Sequence, residues 1–354
     1  MIKRRLFSGW LLIFAGLLQA EAFKPLVSDA DAMADIKRFA NELATEHQFD
    51  ENTIIDQLSG LKQREDIIAR ITRPAESLPW YRYRKIFISE QRIDGGVEFW
   101  ERHQETLARA SAEFGVDPAM IVGILGVETF YGRIQGDFPV IEALHTLGFY
   151  YPKRAPFFRS ELAQYYLLAR AEKWNLFDVR GSYAGAMGMG QFISSSYRHY
   201  GVDFNQDGKI NLFSDPVDMI GSVANYFARH GWQQTGFVAE PVALSSKQQT
   251  LVQKQLELER PLEYFSQAGV STAGLRDRTK VAGIFAFETE AGQFEHWLTG
   301  KNFYVITRYN HSEMYALVAF QLSQAIAEKR LSKQVANNLH QTDESLIKSN
   351  EKSD

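Results

Sequence analysis

In "IVGILGVETFYGR", residues 121–133, one carboxylate, Glu128, closes a run of residues with aliphatic side chains or none. Desolvating an ionised carboxylate is costly, so a group in that setting pairs with a cation, binds a metal or takes up a proton. Asp117 and Pro118 read as the cap and first turn of a helix. The residues before Glu128 are apolar on every side of that helix, so it should be buried. Gly123 and Gly126 each cost about 1 kcal/mol relative to Ala inside a helix, a sign that another backbone or a ligand comes close there. A structural Glu128 paired with Arg133 and a catalytic Glu128 both fit these residues.

A second candidate is "GSYAGAMGMGQFISSSYRHYG", residues 181–201, where four glycines precede Gln191 and Ser182 stands at the front. It lacks the Gly-Lys-Ser/Thr ending and strand-to-helix setting of a phosphate loop, so nucleotide binding is not indicated. Small residues here would let a polymer lie against the main chain and be read by its N–H and C=O groups. A tight helix–helix crossing is the alternative.

The third is "DFNQDGKINLFSD", residues 203–215. Asp203, Asn205 and Asp207 hold positions one, three and five of a calcium loop, Gly208 the sharp turn at six, and Lys209 offers its carbonyl at seven. Position twelve is Ser214, and the carboxylate arrives one place late as Asp215. A structural Ca2+ is expected, against a turn capped by its own Asx hydrogen bonds. The eight histidines are scattered and cysteine is absent, which argues against a zinc hydrolase. No Gly-x-Ser-x-Gly elbow is present.

The elements that must hold these groups are mostly helical. With 354 residues the chain is long enough for two or three domains, and its 45% hydrophobic and 23% charged residues are ordinary for a globular protein. A net charge of -4 supplies no basic field, so nucleic acid is not expected as a partner. Aromatic residues, 13% of the chain, suit a sugar-stacking groove as well as a core. Lys3, Arg4 and Arg5, the apolar run Leu6–Leu18 and Ala20-Glu21-Ala22 read as a secretory signal peptide over 1–22. Without cysteine there is neither a disulfide nor an N-terminal lipid anchor, so a soluble periplasmic protein is expected.

Helical periodicity covers 23–115, with 72–87 as a Pro-broken aromatic connector. Residues 116–236 form the core that carries Glu128 and the calcium loop. Short β-branched and aromatic runs over 237–305 predict a small antiparallel sheet, interrupted by a helical piece at 248–260. "NFYVITRYN", 302–310, is read as its last strand, after a turn at 299–302. The segment 306–330, helical from Ser312, returns to the body, and the polar tail 331–354 is expected to be disordered. The class is mainly α with a small antiparallel β domain.

Glu128 in "GVETFYGR", the "GSYAGAMGMGQF" stretch, the calcium-like loop and "ITRYNHS" together resemble the B-type lytic murein transglycosylases, glycoside hydrolase family 103. The likeness runs from about residue 30 to 330. It implies a lysozyme-like helical core (α+β) and cleavage of the MurNAc-GlcNAc bonds of peptidoglycan glycan strands with 1,6-anhydroMurNAc ends. A cell-wall synthesis or remodelling complex is a further partner it suggests. Glu128 then matches the catalytic acid, a carboxyl whose raised pKa keeps its proton near neutrality. Ser182, Gln191, Tyr226, Tyr309 and Asn310 match groove positions. Asp203, Asn205, Asp207, Lys209 and Asp215 match the ion loop. Two other readings compete: a two-carboxylate muramidase, with Asp137 or Glu142 activating water, and a calcium-stabilised glycan-binding scaffold in which Glu128 is structural.

Overall fold

A computed structural model describes residues 26–73, 77–273, 275 and 281–350, with side chains to Asn338. The signal-peptide assignment, residues 1–22, lies outside the described residues. The chain opens with six helices, α1 (Asp29–His47), α2 (Glu51–Ser59), α3 (Glu65–Ile71), α4 (Trp80–Phe87), α5 (Glu90–Arg102) and α6 (Gln104–Phe114). Three of them start on side-chain caps. Ser28 Oγ accepts from Asp31 N, Asp50 Oδ1 from Thr53 N and Ser89 Oγ from Arg92 N, each satisfying a donor that a helix start leaves open.

α7 (Pro118–Thr129) is the central rod. Asp117 caps it through Ala119 N at 2.8 Å, Pro118 occupies its first turn, and every residue from Ala119 to Val127 is buried. α14 (Glu313–Asn350) lies against it. A Cβ on Gly123 would stand 3.0 Å from Ala319 O and 2.9 Å from Ser323 Cβ, and one on Gly126 2.9 Å from Leu322. Gly123 therefore admits the backbone of the neighbouring helix, the approach expected from its cost, while Gly126 makes room for the side chains of Leu322 and Tyr131. Among the described residues no single helix is long and apolar enough to cross a membrane.

α8 (Val140–Tyr150) and α9 (Ala155–Glu172) pack as a pair, followed by α10 (Ser194–Tyr200) and α11 (Pro216–Arg229). A short ladder, β1 (Phe138–Pro139) with β2 (Arg180–Gly181), links the end of the α7 segment to the glycine-rich stretch. The small sheet is antiparallel, in the order β3 (Ala239–Val242), β5 (Gln293–Thr299), β4 (Gly283–Glu290), with α12 (Leu262–Gln267) beside it and α13 (Lys301–Tyr309) after it.

Four sequence expectations change. Residues 80–87 are a helix: Pro79 precedes it rather than breaking it, and Trp80 packs on Phe287 at 5.2 Å while its Nε1 donates to Glu295. The 302–310 strand is the helix α13, in which buried Phe303, Val305 and Ile306 make a face that overrides β propensity. The helical piece at 248–260 is a 3₁₀ turn at Ser246–Leu251, with α12 beginning only after Pro261. The tail is helical to Asn350. It lacks Gly and Pro, and Lys329 and Lys333 tie its start to Asp94 and Glu101 on α5. A polar composition denied it a core, not a helix.

Candidate active site

Glu128 stands in the last turn of α7, and the chain leaves that helix under constraint. Phe130 and Tyr131 both take left-handed backbone angles, φ 53 and 61, a conformation of the kind that collects at functional sites. Surrounding contacts hold it. Thr129 Oγ1 donates to Met189 O at 2.6 Å and accepts from Gly132 N at 2.8 Å. Tyr131 Oη donates to Arg92 O at 2.7 Å, while the Arg92 guanidinium donates to Gly126 O and lies 4.9 Å over the Phe130 ring. Arg133, the partner a structural Glu128 would use, instead reaches Glu98 at 3.9 Å.

The glycine-rich stretch folds into a wall facing Glu128. Ser182 Oγ accepts from Ala184 N and Ala186 N at 3.2 and 3.1 Å, which leaves its hydroxyl proton to donate outward. Met187 and Phe192 exchange backbone hydrogen bonds at 2.9 Å, closing a tight loop in which Gln191 takes φ 50. Gln191 Nε2 donates to Gln135 O and Gly188 O, both at 3.0 Å, so its amide oxygen remains for a ligand. Tyr309 Oη pins the loop through Gly190 O at 2.6 Å, and Tyr226 Oη donates to Arg308 O.

Glu128, Ser182, Gln191, Tyr226, Tyr309 and Asn310 all line one groove of about 790 Å³. The candidate acid and all five groove positions named from the sequence are thus brought together. Arg154, Phe157, Tyr200 and His230 are among the other polar and aromatic residues of its wall. Burial lowers the pKa of His230, and its ring lies flat against Tyr226, centroids 4.1 Å apart. Glu128 is the only carboxylate among the described residues lining the groove. Asp137 is exposed, and Glu142 is held by Arg64 Nη1 at 2.5 Å; neither lines the groove, which removes both candidates for a second acid.

The sequence did not single out Tyr315. It is buried on α14, donates its hydroxyl to Glu128 Oε1, and stacks near-parallel to Tyr309 with centroids 6.5 Å apart. Burial first, and the Glu128 charge second, push the phenols of Tyr309 and Tyr315 well above the ordinary tyrosine range. Both therefore stay protonated donors. Tyr315→Phe should keep the fold, because the ring remains, and lower the rate of glycan cleavage about tenfold or more, as loss of a hydrogen bond to a charged group predicts. Circular dichroism with a turnover assay checks this; wild-type turnover would show that the phenol is idle.

The calcium-like loop is built from hard oxygen donors. Asp203 accepts from Asp207 N and Gly208 N at 3.0 and 2.8 Å, and Asp207 from Lys209 N at 2.9 Å. Asn205 Nδ2 spans Asp207 Oδ2 at 3.3 Å and Asp215 Oδ2 at 2.7 Å, so the late carboxylate does reach the loop. Asp215 also caps α11 through Val217 N. Among the described residues no three carboxylate or imidazole side chains form a ready-made metal cage. The donor chemistry suits calcium, while the hydrogen bonds are those of Asx turns. Asp218, missed in the sequence, is buried beneath the loop and accepts from the backbone N–H groups of Phe204, Asn205 and Asn211.

Residues 31–324 match the family described as the transglycosylase SLT domain. The membrane-bound lytic murein transglycosylase B of Escherichia coli (strain K12) is 38% identical over 305 residues, 83% of each chain. The soluble lytic transglycosylase SltB1 of Pseudomonas aeruginosa superposes with TM-score 0.77 at 41% identity, over 84% of this chain and 99% of that one. The Escherichia coli lytic transglycosylase Slt35 in complex with calcium does so with TM-score 0.76 at 37% identity, over 87% and 97%. On this match, which spans the rod of α7, the groove and the return of α14, the chain belongs to the transglycosylase SLT domain family.

Proposed function

We propose that this protein is a peptidoglycan lytic transglycosylase, cleaving the β-1,4 bond between MurNAc and GlcNAc and leaving 1,6-anhydroMurNAc ends. The observation that carries it is that Glu128 is the lone carboxylate among the described residues lining the groove. An ordinary glycosidase needs two carboxyl groups, one as acid and one as base or nucleophile. With Glu128 alone, the attacking group has to come from the substrate. The C6 hydroxyl of MurNAc can fold onto its own C1, and an attack within one ring gains the advantage of proximity.

Glu128 first donates a proton to the glycosidic oxygen, and the C1–O4 bond breaks with release of the GlcNAc hydroxyl. The Glu128 carboxylate then takes the proton of the C6 hydroxyl as O6 bonds to C1, which restores the acid. Tyr315 holds Oε1 and so fixes the aim of the group. Ser182, Gln191 and Asn310 are the residues to orient the acetamido groups, and Tyr226 and Tyr309 to carry the rings. Digestion of purified peptidoglycan followed by mass analysis of the ends tests the reading: anhydro ends support it, reducing muramic acid ends contradict it.

Such a substrate lies outside the cytoplasmic membrane, which together with the basic, apolar and small-residue pattern of residues 1–22 supports a soluble periplasmic enzyme. A cell-wall remodelling complex would be its natural company. Calcium is assigned to Asp203, Asn205, Asp207, the Lys209 carbonyl and Asp215, as a brace for the neighbouring glycine-rich wall: Met189 N already bonds Leu212 O within the loop. Calcium should raise the melting temperature, since binding to the native state adds about 2.7 kcal/mol at a hundredfold excess over Kd. Asp203→Ala and Asp207→Ala should each abolish that rise. A wild-type melting curve indifferent to calcium would leave the loop as a turn.

A further inference from the structure

A second hollow, about 550 Å³, lies between α1, the loop joining α2 to α3, and α8. It shares no lining residue with the groove of Glu128. Met33, Ile36, Leu58 and Leu61 give it apolar walls, and Asp29 and Lys62 stand among its exposed residues. His145, wholly buried on α8 between Phe149 and Tyr150, lines it. Both His145 ring nitrogens and Gln63 Nε2 are buried without a hydrogen-bond partner among the described residues. Native proteins seldom leave such atoms unpaired, and three of them at one hollow ask for an occupant.

The chemistry of that occupant can be read from the wall. Burial lowers the His145 pKa to about 4, so near neutral pH the ring offers one N–H donor and one bare nitrogen acceptor. Gln63 Nε2 adds donors. A carboxylate leaves the bare nitrogen unmatched, and an ammonium leaves the donors unmatched. A secondary amide matches a nitrogen of the ring and the neighbouring side chain together, its N–H donating to the bare His145 nitrogen and its C=O accepting from Gln63 Nε2. Single waters fit the polar atoms but not the aliphatic walls, and the hollow exceeds the roughly 30 Å³ of one water many times over.

We propose that this hollow is a second binding site, for a neutral secondary amide that carries a small apolar group. Under the function proposed above, two parts of the substrate have that chemistry: the acetamido group of an amino sugar and a peptide bond of the stem. Because the ring nitrogens are closed off from solvent, entry needs one wall group to move. We assign that movement to Gln63, half-buried on the loop at 60–64.

The test uses the full chain labelled with 15N-histidine, titrated with diacetylchitobiose and, separately, with N-acetylalanine methylamide. The His145 ring signals, identified by their loss in His145→Phe, should shift saturably with one of the probes. A response to the disaccharide assigns the sugar amide, and a response to the peptide analogue assigns the stem. Affinity at this site should fall about tenfold in Gln63→Leu, as the loss of a hydrogen bond predicts, with glycan cleavage unchanged. His199, His230 and His311 line the groove, so the same sample reports that site separately. If the groove signals respond and those of His145 stay fixed with both probes, this proposal fails and the catalytic reading stands.

Discussion

Glu128→Gln should lower peptidoglycan cleavage by at least about 100-fold, the low end for general acid–base catalysis. The amide keeps the size of the side chain and an oxygen for the Tyr315 hydroxyl, so the folded state has little reason to change. What it loses is the transferable proton, needed in both halves of the reaction. No neighbouring carboxylate can substitute, because none of the other described residues lining the groove is an acid. Turnover by the purified variant, with its melting curve as the control for folding, checks this. Activity within a few-fold of wild type would remove Glu128 from the chemistry.

Gly136→Ala should be the most damaging small substitution outside the groove lining. Gly136 has φ +93, and a Cβ there would lie 2.2 Å from Gly181 O and 2.8 Å from Ser182 N. Both obstacles are backbone, so no side-chain rotation relieves them. The clash falls where β1 meets β2, beside the Gln135 carbonyl that holds Gln191 and directly against Ser182. Left-handed strain with a displaced ladder should cost on the order of 3 kcal/mol. The folded fraction should also show a raised KM, because two groove residues move. Urea denaturation together with glycan-binding measurements would read both effects; unchanged stability would mean that the ladder yields easily.

The parts of this architecture that were legible in the sequence share a local cause. The buried rod showed itself because Ala119–Val127 is apolar all round, and its cap because Asp117-Pro118 is a start signal. The calcium-like loop was visible as oxygen donors at alternate positions, and Asp215 lies close enough to reach Asn205. The groove residues were found only through resemblance, since nothing in the spacing of Tyr226 and Tyr309 announces that they meet at 4.9 Å. Tyr315 and Asp218 escaped for the same reason: an aromatic or an acid within a helical run acquires its role from what lies across the fold. α13 was misread because its aromatic and β-branched residues favour strands, whereas buried Asn302, bonded to Gln233 and Gly236, fixes a helix start there.

The central claim is that the substrate, not water, supplies the group that closes on C1. Digesting purified peptidoglycan in heavy-oxygen water and weighing the released muramic ends tests it most directly. The account predicts 1,6-anhydroMurNAc with no label at C1 and no new reducing sugar. Heavy oxygen on C1 would mean hydrolysis, and a base that activates water would then have to be found in a groove whose described lining holds one carboxylate.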